Sequence, residues 1–123
     1  MKVLVFDSSL DRAKLIRDLL ESYRYKTVIH PNGGQILSEI QNVRPSLIIV
    51  HSKDSGIQIL EKIKKDSRYS KIPVIMISSI SSDEVMDRIR KYPNVDFLVE
   101  PFKIKNFRHA VQRWVNFRSL YVS

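Results

Sequence analysis

Apolar residues fall in five short runs along the chain, and an amphipathic segment follows each run. The runs begin near Val3, Lys26, Leu47, Val74 and Val95. Apolar runs of about five residues are typical of strands that are buried on both faces of a parallel sheet. The segments between them repeat apolar residues every three or four positions, as helices with one buried face do. The pattern therefore predicts five strands that alternate with five helices.

Turn-forming and capping residues separate these elements. Ser8 or Ser9 can cap the helix that follows the first strand, because a serine hydroxyl accepts a hydrogen bond from a free amide of the first turn. Pro31 ends the second strand segment, and Pro45 and Pro73 introduce the third and fourth strands. The boundaries thus support the same alternation.

Strict alternation of strand and helix predicts an α/β fold. We expect a doubly wound five-stranded parallel sheet with helices on both faces, a flavodoxin-like three-layer sandwich. Five units are too few for an eight-fold barrel, and 123 residues fit one domain, residues 1–123. In such sheets functional groups gather beyond the carboxyl ends of the strands. The polar residues at those ends are Asp7, Ser8, His51, Ser78 and Glu100.

Composition narrows the chemistry. The chain has no cysteine and three widely separated histidines, so we expect no metal site and no cofactor. No apolar stretch approaches the roughly 20 residues of a membrane helix, and we expect a cytoplasmic protein. The net charge of +8 could attract acidic proteins, nucleic acid or anionic lipid. Because the basic residues are dispersed, we interpret them mainly as solvated helix faces and do not favour nucleic acid as the partner.

The strand endings resemble those of the bacterial response-regulator receiver family. Residues 2–7 resemble its first strand, which ends in an acidic pair, and residues 45–50 resemble the strand that carries the phosphoacceptor aspartate. Residues 72–78 resemble the strand that ends in a hydroxyl residue, and residues 97–102 resemble the stretch with a Lys-Pro pair. The likeness covers essentially the whole chain and implies the strand order 2-1-3-4-5.

The resemblance also implies a damaged phosphorylation site. In the family, the acidic pair and the acceptor hold a divalent cation, the acceptor carboxylate attacks phosphorus, and the lysine and hydroxyl neutralise the transferred oxygens. Asp7 keeps the first carboxylate, but only Ser78 retains its family role. Ser8, however, replaces the second carboxylate, His51 replaces the acceptor, and Glu100 replaces the lysine. We therefore predict a degenerate site without catalytic residues.

Three further predictions concern the same region. Two carboxylates in one crevice need cationic partners, and we hypothesise that His51 and Lys53 supply that charge beside Asp7 and Glu100. Phe97 stands at the position of the family's aromatic switch, and ordinary packing is the simpler interpretation. The resemblance also implies a cis peptide bond before Pro101.

The last helix, predicted at residues 104–120, carries apolar residues on several sides. This excess could bind a partner, or the terminal residues could pack locally. In the resembled family the fourth helix, fifth strand and fifth helix form a contact surface. The candidate interface residues are Arg88, Lys91, Arg108, Trp114 and Phe117.

The preferred function is a phosphorylation-independent receiver that acts as a protein interaction module in two-component signalling and is not an enzyme. Its partner is a protein, and a homodimer is one form of such contact. Two alternatives stay open: a receiver that senses a small ligand or anion in the altered crevice, and a basic regulator associated with nucleic acid.

Overall fold

A computed structural model describes residues 1–31, 34–52, 56–79 and 83–122, with side chains described as far as residue 115. Five parallel strands form one sheet in the order β2-β1-β3-β4-β5. This architecture confirms the predicted fold class and strand order. The strands are β1 (Lys2–Phe6), β2 (Lys26–His30), β3 (Leu47–His51), β4 (Val74–Ser78) and β5 (Val95–Val99).

One helix follows each strand. Ser9 is the N-cap of the first helix, and its hydroxyl accepts a hydrogen bond from the amide of Arg12 at 3.3 Å. The last helix extends slightly beyond its predicted end. The helices are α1 (Leu10–Ser22), α2 (Ile36–Val43), α3 (Gly56–Lys65), α4 (Asp83–Arg90) and α5 (Ile104–Val122). None of the described helices is both long enough and apolar enough to cross a membrane.

The two faces of the sheet carry separate hydrophobic clusters. Helices α2, α3 and α4 cover one face, where they pack on strand residues such as Leu4 and Ile48. Helices α1 and α5 cover the other face, where Val5 and Ile49 contribute. Consecutive strand residues therefore point to opposite faces and are buried on both. This double burial explains why the strands are apolar throughout rather than alternating.

The centre of the sheet is the best-buried part of the protein. Every residue of β3 and β4 is buried, whereas the edge strands β2 and β5 are only half-buried. Polar residues at the ends of the central strands are therefore attached to buried backbone. Among the described residues, the buried polar ones are Asp7, His51 and Ser78.

Candidate functional site

The three buried polar residues lie at the carboxyl edge of the sheet. Asp7 directly follows β1, His51 ends β3 and Ser78 ends β4. A backbone hydrogen bond links the two central strands at this edge: the amide of Ser52 donates to the carbonyl of Ile77 at 2.8 Å. The site is therefore fixed by the central, most buried strands.

Asp7 is engaged by an arginine. The Nε of Arg12 donates to Oδ2 of Asp7 at 2.7 Å, and Nη2 donates to Oδ1 at 2.6 Å. The amide of Ser9 also donates to Oδ1, at 2.9 Å. The Asp7 side chain is 1% exposed and that of Arg12 is 21% exposed. A bidentate guanidinium pair of this kind is among the strongest ways to hold a buried carboxylate.

Sequence reasoning missed Arg12. Its position in the first turn of α1 resembles that of any solvated helix residue. The signal that could have identified it is the short spacing from Asp7: the intervening turn and the serine cap bring the helix back over the end of the strand. Arginine has the length and the planar fork to reach that carboxylate from there.

His51 pairs with Glu100. The Nε2 of His51 lies 2.5 Å from Oε1 of Glu100, and the two side chains are 2% and 29% exposed. The amide of Glu100 donates to the carbonyl of Ser78 at 2.7 Å, which ties the end of β5 to the end of β4. The bond between Glu100 and Pro101 is cis, as the resemblance implied. Histidine and glutamate thus close the crevice from two strands.

The remaining predicted site residues have different surroundings. The hydroxyl of Ser52 donates to Oγ of Ser78 at 2.8 Å. Ser8 is exposed at the edge of the site. Lys53 lies outside the described residues, so its proposed charge role stays a prediction. Within the described part of the chain, Arg12 is the cation that pairs with Asp7, and His51 contacts Glu100.

Phe97 is half-buried in β5 and packs against the cluster formed with α2, α3 and α4. Its amide donates to the carboxylate of the preceding Asp96 at 2.9 Å. These contacts are those of an ordinary packed strand residue.

The candidate interface residues are distributed over both sides of the sheet. Arg88 of α4 forms an ion pair with Glu61 of α3, and the ammonium of Lys91 lies 5.3 Å from the centre of the Tyr92 ring. These contacts lie on the side of the sheet that α2, α3 and α4 cover. The guanidinium of Arg88 is therefore paired with a helix on the same face of the sheet.

The α5 candidates face the other layer. The guanidinium of Arg108 lies 5.2 Å from the centre of the Tyr23 ring, which follows α1, and Trp114 packs against the cluster beneath α1 and α5. The side chain of Phe117 lies outside the described residues. Helices α4 and α5 lie on opposite faces of the sheet, on either side of the edge strand β5, and a contact surface formed by the candidate residues stays a prediction.

A cavity of about 450 Å³ adjoins the site between α1 and the start of α5. Arg12 and Glu100 line one part of it, and most of the remaining lining is apolar. Leu15 and Ile104, which also line it, are 66% and 61% exposed. The site therefore continues into an apolar surface.

The described donor groups of the crevice do not fit a magnesium ion. Magnesium requires hard oxygen ligands, with carboxylates first among them. Both oxygens of Asp7 are already occupied by Arg12, and the facing pair is an imidazole with its own carboxylate. Among the described residues, no group of three or more histidine, cysteine or acidic side chains could hold a metal ion.

The chain is similar to known signalling proteins. The polar-differentiation response regulator DivK of Brucella anthropi is 27% identical over 116 residues, covering 92% of this chain and 94% of DivK. The two-component response regulator ORR11 of Oryza sativa is 31% identical over 104 residues, covering 80% of this chain and 69% of ORR11.

A solved structure agrees with this fold. The chemotaxis protein CheY4 of Vibrio cholerae superposes with a TM-score of 0.81 at 23% identity, covering 91% of this chain and 96% of CheY4. The family model described as the response regulator receiver domain matches residues 3–112. The chain therefore belongs to the response regulator receiver family of two-component signalling.

Proposed function

We propose that this receiver signals by contact with a protein and without accepting a phosphoryl group. The observation that carries the proposal is the pairing of His51, at the end of β3, with Glu100. In the resembled family an aspartate at that strand end is the nucleophile. An imidazole cannot form the acyl phosphate that a carboxylate forms.

The charges around the crevice support the same conclusion. Transfer of a phosphoryl group needs positive charge on the incoming oxygens, but Glu100 brings a carboxylate to the position where the resemblance expects a lysine. Arg12, which lies at the edge of the crevice, already donates two hydrogen bonds to Asp7. The Arg12–Asp7 ion pair and the His51–Glu100 contact thus take the place of metal and phosphate, and the site stays in one arrangement. The same carboxylate disfavours an anion in the crevice, so anion sensing is the weaker alternative.

The apolar surface beside the crevice supports a protein as the partner. Leu15 and Ile104 are more than half exposed and flank the cavity between α1 and α5. The partner proposed for this surface is a second copy of the chain. A two-fold contact here would bury both residues, and it could bring the exposed carboxylate of Asp18 in one copy near Lys14 or Arg17 in the other.

Treatment with a small phosphodonor tests the loss of phosphotransfer. The protein is incubated with acetyl phosphate and magnesium, and its intact mass is measured by mass spectrometry. A receiver with the full acidic set is the positive control. We expect the control to gain one phosphoryl group and this chain to gain none. The proposal would be refuted if the chain gained a phosphoryl group and hydroxylamine, which cleaves acyl phosphates, then removed it.

A further inference from the structure

A second cleft lies at the opposite edge of the sheet from the receiver site. It has a volume of about 450 Å³ and lies where α2 ends and where the α3–β4 loop precedes the fourth strand. Its lining includes the apolar residues Ile40, Pro45 and Ile72 together with Arg44 and Lys71, which are both exposed. None of the described lining residues is acidic. The cleft therefore joins an apolar pocket to positive charge.

The loop that forms one wall is held firmly. The ammonium of Lys64 donates to the carbonyls of Ser70 and Ile72 at 3.0 and 2.7 Å. Arg68 pairs with Asp66 through Nη2 at 2.8 Å, and its guanidinium lies 4.9 Å from the centre of the Tyr69 ring. A wall fixed by its own hydrogen bonds loses little conformational entropy when a ligand binds.

The two cations beside the cleft are available. Within the part of the chain that the structure describes, no ion pair or side-chain hydrogen bond engages the guanidinium of Arg44 or the ammonium of Lys71. The positive charge also continues along this edge, because Lys2 and Lys26 begin neighbouring strands in register with each other. The amide of Ser46, two residues after Arg44, donates to the carbonyl of Lys2 at 2.9 Å, so the cleft and this lysine pair are adjacent.

We propose that this amino-edge cleft, defined by Ile40, Arg44, Pro45, Lys71 and Ile72, binds an acidic segment of a partner protein. An apolar side chain of the segment enters the pocket, and flanking carboxylates pair with Arg44 and Lys71. A protein segment fits better than nucleic acid because the pocket is largely apolar and the cations flank it rather than form a continuous groove. The surface is remote from the crevice, so this binding does not depend on whether the receiver accepts phosphate.

Fluorescence anisotropy with defined probes tests the proposal. The first probe is a labelled peptide in which a Leu-Trp pair is flanked by glutamates, and the second has serines in place of that pair. The third is a labelled single-stranded oligonucleotide of equal charge, and the fourth is a suspension of phosphatidylserine vesicles. The binding variant is Arg44→Glu with Lys71→Glu, and the matched control is Lys62→Glu with Arg90→Glu, two exposed cations outside the cleft on α3 and α4.

We expect saturable binding of the first peptide and binding of the second that is about tenfold weaker, which corresponds to loss of one anchoring apolar contact. The cleft variant should raise the Kd of the first peptide by about tenfold or more, and the control by about twofold at most. Thermal melts confirm that both variants fold. No saturable binding, equal loss in the two variants, or tighter binding of the oligonucleotide or the vesicles than of the first peptide would overturn the proposal.

Discussion

Arg12 holds the carboxylate of Asp7 at both oxygens, with its Nε at 2.7 Å and its Nη2 at 2.6 Å. In the resembled family this strand end helps to hold a metal ion. Here a side chain from the following helix occupies it. The site has therefore not simply lost residues, because the positive charge of Arg12 stands where the family places a metal ion. His51 at the end of β3 likewise contacts Glu100, which follows β5, with β4 lying between the two strands.

Substitution of Arg12 should destabilise the protein because it leaves a buried carboxylate without its cation. For Arg12→Ala we expect the free energy of unfolding to fall by about 2–3 kcal/mol, somewhat below the loss for a fully buried pair since Arg12 is partly exposed. Urea denaturation measures this change. Arg17→Ala, which removes an exposed pair with Asp18, is the control and should cost less than about 0.5 kcal/mol. Equal effects of the two substitutions would contradict the role of Arg12.

Restoring an aspartate at position 51 should be harmful by itself. In His51→Asp a buried carboxylate would face Glu100, and like charges in such a site repel each other. We expect a loss of about 2–4 kcal/mol in the free energy of unfolding. Adding Glu100→Lys should recover part of that loss, because the pair becomes oppositely charged. If chemical denaturation shows no recovery in the double variant, the two side chains are not coupled as the structure indicates.

Gly56 begins α3 directly behind the site. A Cβ atom there would lie 2.1 Å from the carbonyl oxygen of His51 and 2.7 Å from its carbonyl carbon. Backbone atoms cannot move aside as a flexible side chain can, so Gly56→Ala should destabilise the fold by about 2 kcal/mol or more. Gln58→Ala, at an exposed position of the same helix, should have little effect. A melting temperature for Gly56→Ala equal to that of the control would show that the end of β3 can move.

The lowered pKa of Lys64 predicts how the free energy of unfolding depends on pH. Burial lowers the pKa of Lys64 from 10.5 to about 8. Between these values the unfolded chain keeps the proton that the folded protein has released, so the free energy of unfolding should increase as pH rises from about 8 towards 10.5. The difference between wild type and Lys64→Met should show this increase, measured by urea denaturation across the range. The neighbouring exposed Lys65→Met should not show it, and parallel curves for wild type and Lys64→Met would contradict the prediction.

Self-association tests the proposed protein contact. Sedimentation equilibrium of the wild type should show a mass that rises with concentration towards that of a dimer. Leu15→Ser with Ile104→Ser should remove this rise, since both side chains flank the cavity between α1 and α5. Lys91→Ser, on the other side of the sheet, should leave it unchanged. A wild type that stays monomeric at all concentrations would exclude a second copy as the partner.

The fold could be predicted from the sequence because local patterns determine it. The second strand was predicted at residues 26–30, and the structure has it at Lys26–His30, since a short apolar run between charged helices has few alternatives. The pairing of Arg12 with Asp7 could not be predicted from periodicity, because it depends on the direction that one side chain takes over a turn. The amino-edge cleft was equally hidden: Arg44 and Lys71 come together only when α2 and the α3–β4 loop pack side by side.

Titration with magnesium and beryllofluoride, a mimic of the phosphoryl group, tests the central claim most directly when amide spectra are recorded at each step. If side-chain pairs within the site have replaced the phosphorylation chemistry, the amides of Asp7, His51 and Ser78 should show no saturable shift at concentrations that saturate a receiver with the full acidic set. Saturable shifts that cluster at these three residues would show that the site still binds metal and a phosphoryl group, and would contradict the account.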